Sequence, residues 1–321
     1  MADAVWLAEA DVVATVDLLD AIEAVEEALR SEARGDARTM EKAHVAWGSG
    51  HTLHAIGGID EHEGIVATKT WAHTDGGATP LVVLWDAHEG TLRGIVEAFA
   101  LGQLRTGAMT GVASRWLAPE RTHTAALIGT GKQAMPQLAA VSAVCALDRV
   151  VVYSPNPDHR HAFVEQLLGD GWPFAVEEAT SVAEATVEAD VITTATRARV
   201  PFLDAPSVRP GTLVNAIGAI TPERAELTPD LVARCDLVVS DSPDAATRLA
   251  SELEGRAATA LSTVVAGGAR HPPHDVTLFK AMGIGLADLA IARLAIERSI
   301  QDGRGANIAQ PQRARPRLRR T

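Results

Sequence analysis

Cysteine is scarce: the 321 residues hold two, Cys145 and Cys235. Each lies in an apolar stretch and reads as a buried thiol, so neither a disulfide framework nor a thiolate metal cluster is indicated. His44, His51 and His54 lie close together, but no cysteine and no H-E-x-x-H accompany them, and no metal is expected. Long hydrophobic runs are missing too. Stretches such as Leu81 to Trp85 fall far short of the ~20 residues a membrane helix needs, and Met1 to Glu9 lacks the basic start and apolar core of a signal peptide, so a cytoplasmic location is expected. Neither an internal repeat nor a low-complexity linker is visible. Positive charge is in deficit: the net charge is −12. The last segment, 303–321, holds six arginines and no acid, and removing those six charges leaves −18 on the remainder. An acidic body argues against nucleic-acid binding. The tail (Arg313, Arg315, Arg317, Arg319, Arg320) reads as a flexible, solvated terminus.

With 47% hydrophobic and 22% charged residues, the composition is that of a globular chain long enough for two packed domains. Leu18, Ile22, Val25 and Leu29 recur at helical spacing between Asp17 and Arg34, and Gly35 follows as a stop. Strands are expected over His51 to Ile59, Ile65 to His73 and Leu81 to Trp85, punctuated by Gly57-Gly58 and Gly76-Gly77. Asp86 to Gly90 reads as a hairpin loop leading to Thr91 to Ile95. A helix from about Glu97 to Leu117 closes this first unit.

Beyond Arg121 strands alternate with helices, the signature of a parallel sheet covered on both faces. The expected strands are Thr124 to Gly129, Arg149 to Ser154, Asp190 to Ala195, Thr212 to Ile217 and Asp236 to Ser240. The last apolar helix, about Lys280 to Ile300, has few partners left in the second unit and is expected to pack back on the first. The organisation is therefore a discontinuous α+β domain over 1–118, an α/β Rossmann domain over 119–280, a returning helix over 281–302 and the basic tail over 303–321.

The strand ending at Ile128 runs into Gly129-Thr130-Gly131-Lys132-Gln133-Ala134 and then an apolar helix. This is G-x-G-x-x-A in its required context. Gly129 permits the tight turn, Gly131 lets the backbone approach a pyrophosphate, and Ala134 allows close helix packing. The free amides at the helix start then face the phosphates. An acid that grips the ribose 2′-hydroxyl in NAD-binding proteins belongs at the end of the next strand. Here that stretch reads Tyr153-Ser154-Pro155-Asn156. With no carboxylate there, with Ser154 and Asn156 as donors and Arg160 in reach, NADP is preferred over NAD, although His159, Arg160 and His161 also fit an exposed helix start.

The order of units and four ordered motifs resemble the ornithine cyclodeaminase/mu-crystallin family. They are Gly64-Ile65-Val66-Ala67-Thr68-Lys69, Leu104-Arg105-Thr106-Gly107-Ala108, Ile128 to Ala134, and Thr277 to Gly283 followed by Asp288-Leu289-Ala290. Members handle small amino or imino acids with NAD(P). The resemblance implies that Lys69 stands beside the nicotinamide, binding the substrate carboxylate or transferring a proton. From the residues alone, a lysine inside an apolar strand either snorkels or serves a site. Arg105 would bridge cofactor phosphate and substrate carboxylate, and Met282 of the late motif would line the substrate pocket. Lys132 and Gln133 would lie over the pyrophosphate, Thr194 and Ala195 would border the nicotinamide ribose, and Ile217, Gly218 and Arg224 would complete the cofactor floor. The resemblance also implies a homodimer through the first domain.

Two departures from the family pattern bear on the reaction. The aspartate of the cyclodeaminase G-G-D-x-P loop is replaced in Gly218-Ala219-Ile220-Thr221-Pro222 by Ile220, which cannot transfer a proton. The early carboxylate-binding arginine aligns with Lys42, with Arg38 as the alternative, and a lysine offers charge without a fork. His73 and Trp71 also fall near the expected pocket, His73 as an acid/base or as a solvent-facing strand end. The leading expectation is an NAD(P)-dependent oxidoreductase of small imino, amino or keto acids. The alternatives are a cyclodeaminase-type lyase that recycles its NAD and a non-catalytic protein that binds NADPH and a small ligand.

Overall fold

The computed structural model describes residues 4–268 and 275–319. The chain opens with β1 (Ala4–Leu7), α1 (Glu9–Thr15) and α2 (Leu18–Arg34). Seven strands follow: β2 (Ala37–Thr39), β3 (Ala43–Trp47), β4 (His51–Asp60), β5 (Ile65–Thr74), β6 (Gly77–Ala78), β7 (Leu81–Asp86) and β8 (Leu92–Glu97). The long α3 (Phe99–Leu117) leads into β9 (Thr124–Ile128), α4 (Ala134–Val144), β10 (Arg149–Tyr153), α5 (Pro157–Asp170) and β11 (Ala175–Glu178). Next come α6 (Val182–Thr186), β12 (Val191–Thr194), β13 (Thr212–Ala216), α7 (Pro229–Arg234) and β14 (Cys235–Ser240). The chain continues through α8 (Pro243–Leu249), β15 (Thr259–Ala260), α9 (Leu261–Ala266), β16 (Val276–Lys280), α10 (Gly285–Gln301) and β17 (Ala306–Ile308).

Local chemistry sets several of these boundaries. Asp17 and Asp20 form a reciprocal capping box at the start of α2, and Gly35 ends the helix at φ +87°, a conformation that costs glycine little. The Asp86 carboxylate accepts the amides of His88 and Glu89 in the β7–β8 hairpin loop, each at 2.9 Å. Those bonds and Arg93 hold its pKa down at about 2.

The strands form two sheets. The first is mixed, in the order β17-β1-β8-β7-β5-β4-β2, with β3 on β4 and β6 on β5. The second is parallel throughout, in the order β11-β10-β9-β12-β13-β16-β14-β15. Its order reverses between β9 and β12, and a crevice opens at the carboxyl ends of strands where that happens. Small residues on α3 allow close packing on both sides. Gly107 faces the second unit, where a Cβ would stand 2.8 Å from the Pro136 carbonyl oxygen of α4, and Gly111 packs within the first unit, where a Cβ would stand 2.5 Å from Ile22 Cδ1 of α2.

Five expectations are corrected. Val276 to Lys280 is a buried strand in the middle of the parallel sheet, and the last helix begins only at Gly285. Gly57 and Gly58 do not punctuate strands but lie within β4; a Cβ on Gly57 would stand 2.3 Å from the Ala67 carbonyl oxygen of β5, and one on Gly58 3.3 Å from Leu286 Cα at the start of α10. The tail is not wholly free, since Ala306–Ile308 pairs antiparallel with β1 and Gln310 exchanges hydrogen bonds with the backbone of Leu92. Cys235 is buried, with its thiol pushed up to about 12 by desolvation, whereas Cys145 is only half-buried. Arg160 is buried rather than part of an exposed helix start. Helix α10 does pack back on the first unit, against α2, β4 and β5.

Candidate active site

The turn after β9 has the form a pyrophosphate requires. Gly129 adopts φ +110° and crowds the Ala195 carbonyl, so that a Cβ there would lie 2.7 Å from its oxygen, while a Cβ on Gly131 would meet nothing. Among the described residues the amides of Thr130, Gly131, Lys132 and Gln133 have no acceptor. The Gln133 side-chain oxygen is buried without a partner. A helix start with free amides and an open glycine fits a dianionic phosphate group. The Lys132 ammonium lies 5.7 Å from the Phe99 ring centroid, over the start of α3.

At the end of β10 Arg160 is engaged and Asn156 serves as a helix cap. Asn156 caps α5 by accepting the His159 amide at 3.0 Å. Arg160 donates to Glu178 at 2.7 Å and to the carbonyl of buried Ser154 at 2.6 Å. Its charge is therefore compensated.

Across the crevice, elements distant in sequence converge on Asp288 in the first turn of α10. The Lys69 ammonium, carried by β5, donates to Asp288 Oδ1 at 2.9 Å, and Arg105 of α3 lies 3.7 Å from the same oxygen. Lys69 is 7% exposed. Burial lowers its pKa first and the Arg105 charge lowers it further, against the Asp288 carboxylate, which raises it. Gly102 leaves room for this ammonium, since a Cβ there would stand 3.1 Å from Nζ. Asp288 Oδ2 and Arg105 Nε are buried without hydrogen-bond partners, and an unfilled buried donor and acceptor mark a place where a ligand completes the network.

Trp71, two residues along β5, presents its indole to this cluster. Lys69 and Lys42 hold their ammoniums 5.6 and 5.7 Å from its ring centroid. Lys42 is exposed as a residue, yet partial desolvation of its ammonium, and then the charges of Arg105 and Lys69, lower its pKa. His54, opposite Trp71 in the β4–β5 register, stacks on it with ring centroids 4.7 Å apart. Desolvation and then Lys42 depress the His54 pKa, which favours its neutral form. His73 is exposed, whereas Arg38 pairs with Glu61 outside the cluster.

Met282 and Gly283 reach the site through Asp241, whose buried carboxylate accepts both amides at 2.7 and 2.8 Å. Gly283, at φ +85°, passes so near the Arg105 guanidinium that a Cβ would stand 2.6 Å from Nη1. Thr194 ends β12 opposite Ala216, the last residue of β13; Ala195 follows the one strand and Ile217 and Gly218 the other at the carboxyl edge. Ile220 and Arg224 follow on the next loop, both half-buried. The structure thus brings Lys42, Lys69 and Arg105 together. Sequence reasoning assigned no role to Asp288, Asp241, Glu226 or His54; the one signal for Asp288 was its place in the late motif.

Among the described residues no helix is long and apolar enough to cross a membrane. The model of the ornithine cyclodeaminase/mu-crystallin family matches residues 3–303. The Delta(1)-pyrroline-2-carboxylate reductase of Bacillus cereus is 31% identical over 240 residues, 71% of this chain and 73% of that protein. The solved Delta(1)-pyrroline-2-carboxylate reductase of Thermococcus litoralis, in complex with NADH and L-proline, superposes with a TM-score of 0.86 at 26% identity. It covers 95% of this chain and 100% of its own. An archaeal alanine dehydrogenase dimer with bound NAD gives a TM-score of 0.87 at 26% identity, over 95% of this chain and 99% of that one.

Proposed function

The chain belongs to the ornithine cyclodeaminase/mu-crystallin family, and we propose that it is an NAD(P)-dependent oxidoreductase acting on the C=N or CH–NH bond of a small imino or amino acid. The observation that carries this reading is the buried Lys69, paired with Asp288 and flanked by Arg105 and Lys42. A bound nicotinamide supplies hydride chemistry, and the residues of this chain supply the rest. Arg105 and Lys42 hold the substrate carboxylate, the fork of Arg105 meeting two oxygens. Lys69 Nζ, its pKa lowered by burial, holds or delivers a proton at the substrate nitrogen or carbonyl oxygen. Met282 and Trp71 bound the side-chain pocket, and positioning in a dry site supplies much of the rate.

For the coenzyme, we assign Gly129, Thr130, Gly131, Lys132 and Gln133 to the pyrophosphate, and Thr194, Ala195, Ile217, Gly218 and Arg224 to the nicotinamide half. Ser154, Asn156 and Arg160 border the adenosine ribose. The absence of a carboxylate at 154 to 156 favours NADP, whereas the ion pair of Arg160 with Glu178 removes one reason for it. Both coenzymes belong in the test. Reduction is favoured over cyclodeamination because Ile220 cannot move a proton. The reading extends to a cytoplasmic homodimer joined through the first sheet, where Val45, Trp47 and Leu53 expose apolar side chains on β3 and β4.

The test follows reduced-coenzyme absorbance with cyclic imino acids, pyruvate or glyoxylate plus amines, in parallel with ornithine plus NAD. Oxidation of NADPH or NADH by a cyclic imine or a keto acid with an amine is expected. Ammonia released from ornithine without net coenzyme turnover would identify a lyase instead, and tight coenzyme binding without any turnover would identify a binding protein.

A further inference from the structure

Behind the loops at the carboxyl edge of the second sheet lies a carboxylate that the proposed reaction does not use. Glu226 is fully buried and lies after β13 on the loop that approaches α7. Its Oε2 accepts the Thr194 hydroxyl and the Gly218 amide, both at 2.9 Å. Its Oε1 accepts the Thr196 amide at 2.8 Å and the Thr196 hydroxyl at 2.7 Å. Four donors from the ends of two adjacent strands therefore converge on one side chain, and bonds to a charged acceptor are the stronger kind. The fit is close: a Cβ on Gly218 would stand 2.2 Å from the Thr196 carbonyl oxygen and 2.4 Å from Glu226 Oε1. Glu226 is itself anchored, its amide donating to Glu252, whose other oxygen receives the fully buried Lys280 ammonium at 2.6 Å.

From this geometry we propose that Glu226 is a positioning residue for the nicotinamide half of the coenzyme. It ties the loops after β12 and β13 into one surface beside the point where the sheet order reverses, and its side chain makes no hydrogen bond to the pyrophosphate turn or to the end of β10. The proposal rests on the dinucleotide reading above. It separates two halves of one site, since fragments that carry only the adenosine and its phosphates bypass Glu226, whereas the whole dinucleotide depends on it.

Calorimetric titration of wild type and Glu226→Gln with NADH, NADPH, ADP and adenosine 2′,5′-bisphosphate reads this separation. An amide in place of the carboxylate turns donor against donor, so affinity for the whole dinucleotides should fall about tenfold or more, as for the loss of a charge-assisted hydrogen bond. Affinity for the two fragments should stay within about twofold. Thr196→Val, which removes one of the four donors at a half-buried position, should show the same pattern more weakly, and Thr196→Ser should restore wild-type binding. It also carries the test if Glu226→Gln does not fold. Equal weakening of dinucleotides and fragments, or no weakening of either, in the variant that folds overturns the proposal. Wild type that binds fragments and dinucleotides equally poorly overturns the dinucleotide reading instead.

Discussion

The Lys69 ammonium rests 2.9 Å from the Asp288 carboxylate, a contact between residues 219 positions apart. It ties an interior strand of the first sheet, β5, to the first turn of the last long helix. Asp288 is thereby the counter-charge for the cationic cluster, opposing the effect of burial and of Arg105 on Lys69. Asp288→Asn should lower the Lys69 pKa further, because it removes the carboxylate that opposes burial. The alkaline limb of the kcat/KM profile should move to lower pH, and an unmoved limb would remove Asp288 from this role.

In the wild type, Lys69 titrates below the ordinary lysine value of 10.5. If its protonated form is the active one in imine reduction, activity is full at low and neutral pH and is lost as pH rises through the lowered pKa. Lys69→Ala should abolish turnover and the limb with it, while coenzyme affinity stays near wild type. Unchanged rates in Lys69→Ala would exclude Lys69 from the chemistry.

The two glycines of the turn after β9 should behave differently. Gly129→Ala places a methyl against the Ala195 carbonyl at a φ that side chains avoid, and should cost stability of about 1–3 kcal/mol in denaturant unfolding. Gly131→Val enters open space, so stability should hold while coenzyme affinity drops. The reverse pattern would contradict the assignment of the turn.

Lys280 and Glu252 form an ion pair with both side chains fully buried. Lys280→Met leaves a buried carboxylate short of its counter-charge and should destabilise the protein by about 3–5 kcal/mol in urea unfolding. A loss within error would mean that the two backbone amides on Glu252 suffice.

Much of this architecture is legible in local patterns. Helix α2 declares itself through its Asp17 cap and Gly35 stop, and the dinucleotide turn through glycines set between a strand and a helix. Strand β16 was hidden because its last residue, Lys280, is a lysine whose partner, Glu252, lies 28 positions away. Gly57 and Gly58 look like turn residues until the close approach of β5 to the first and of α10 to the second explains them. Side-chain meetings set by tertiary packing and register were the least visible. Trp71 and His54 stack because they stand opposite each other in β4–β5, and nothing local announces that Asp288 will find Lys69.

Coenzyme binding depends most on the free amides from Thr130 to Gln133 donating to a pyrophosphate. Calorimetric titration of the wild-type protein with NADPH and NADH, repeated on Gly131→Val, tests that dependence directly. Saturable binding of at least one coenzyme, at one site per chain and weakened in the variant, is the predicted result. No heat of binding for either coenzyme, or binding untouched by Gly131→Val, would contradict it.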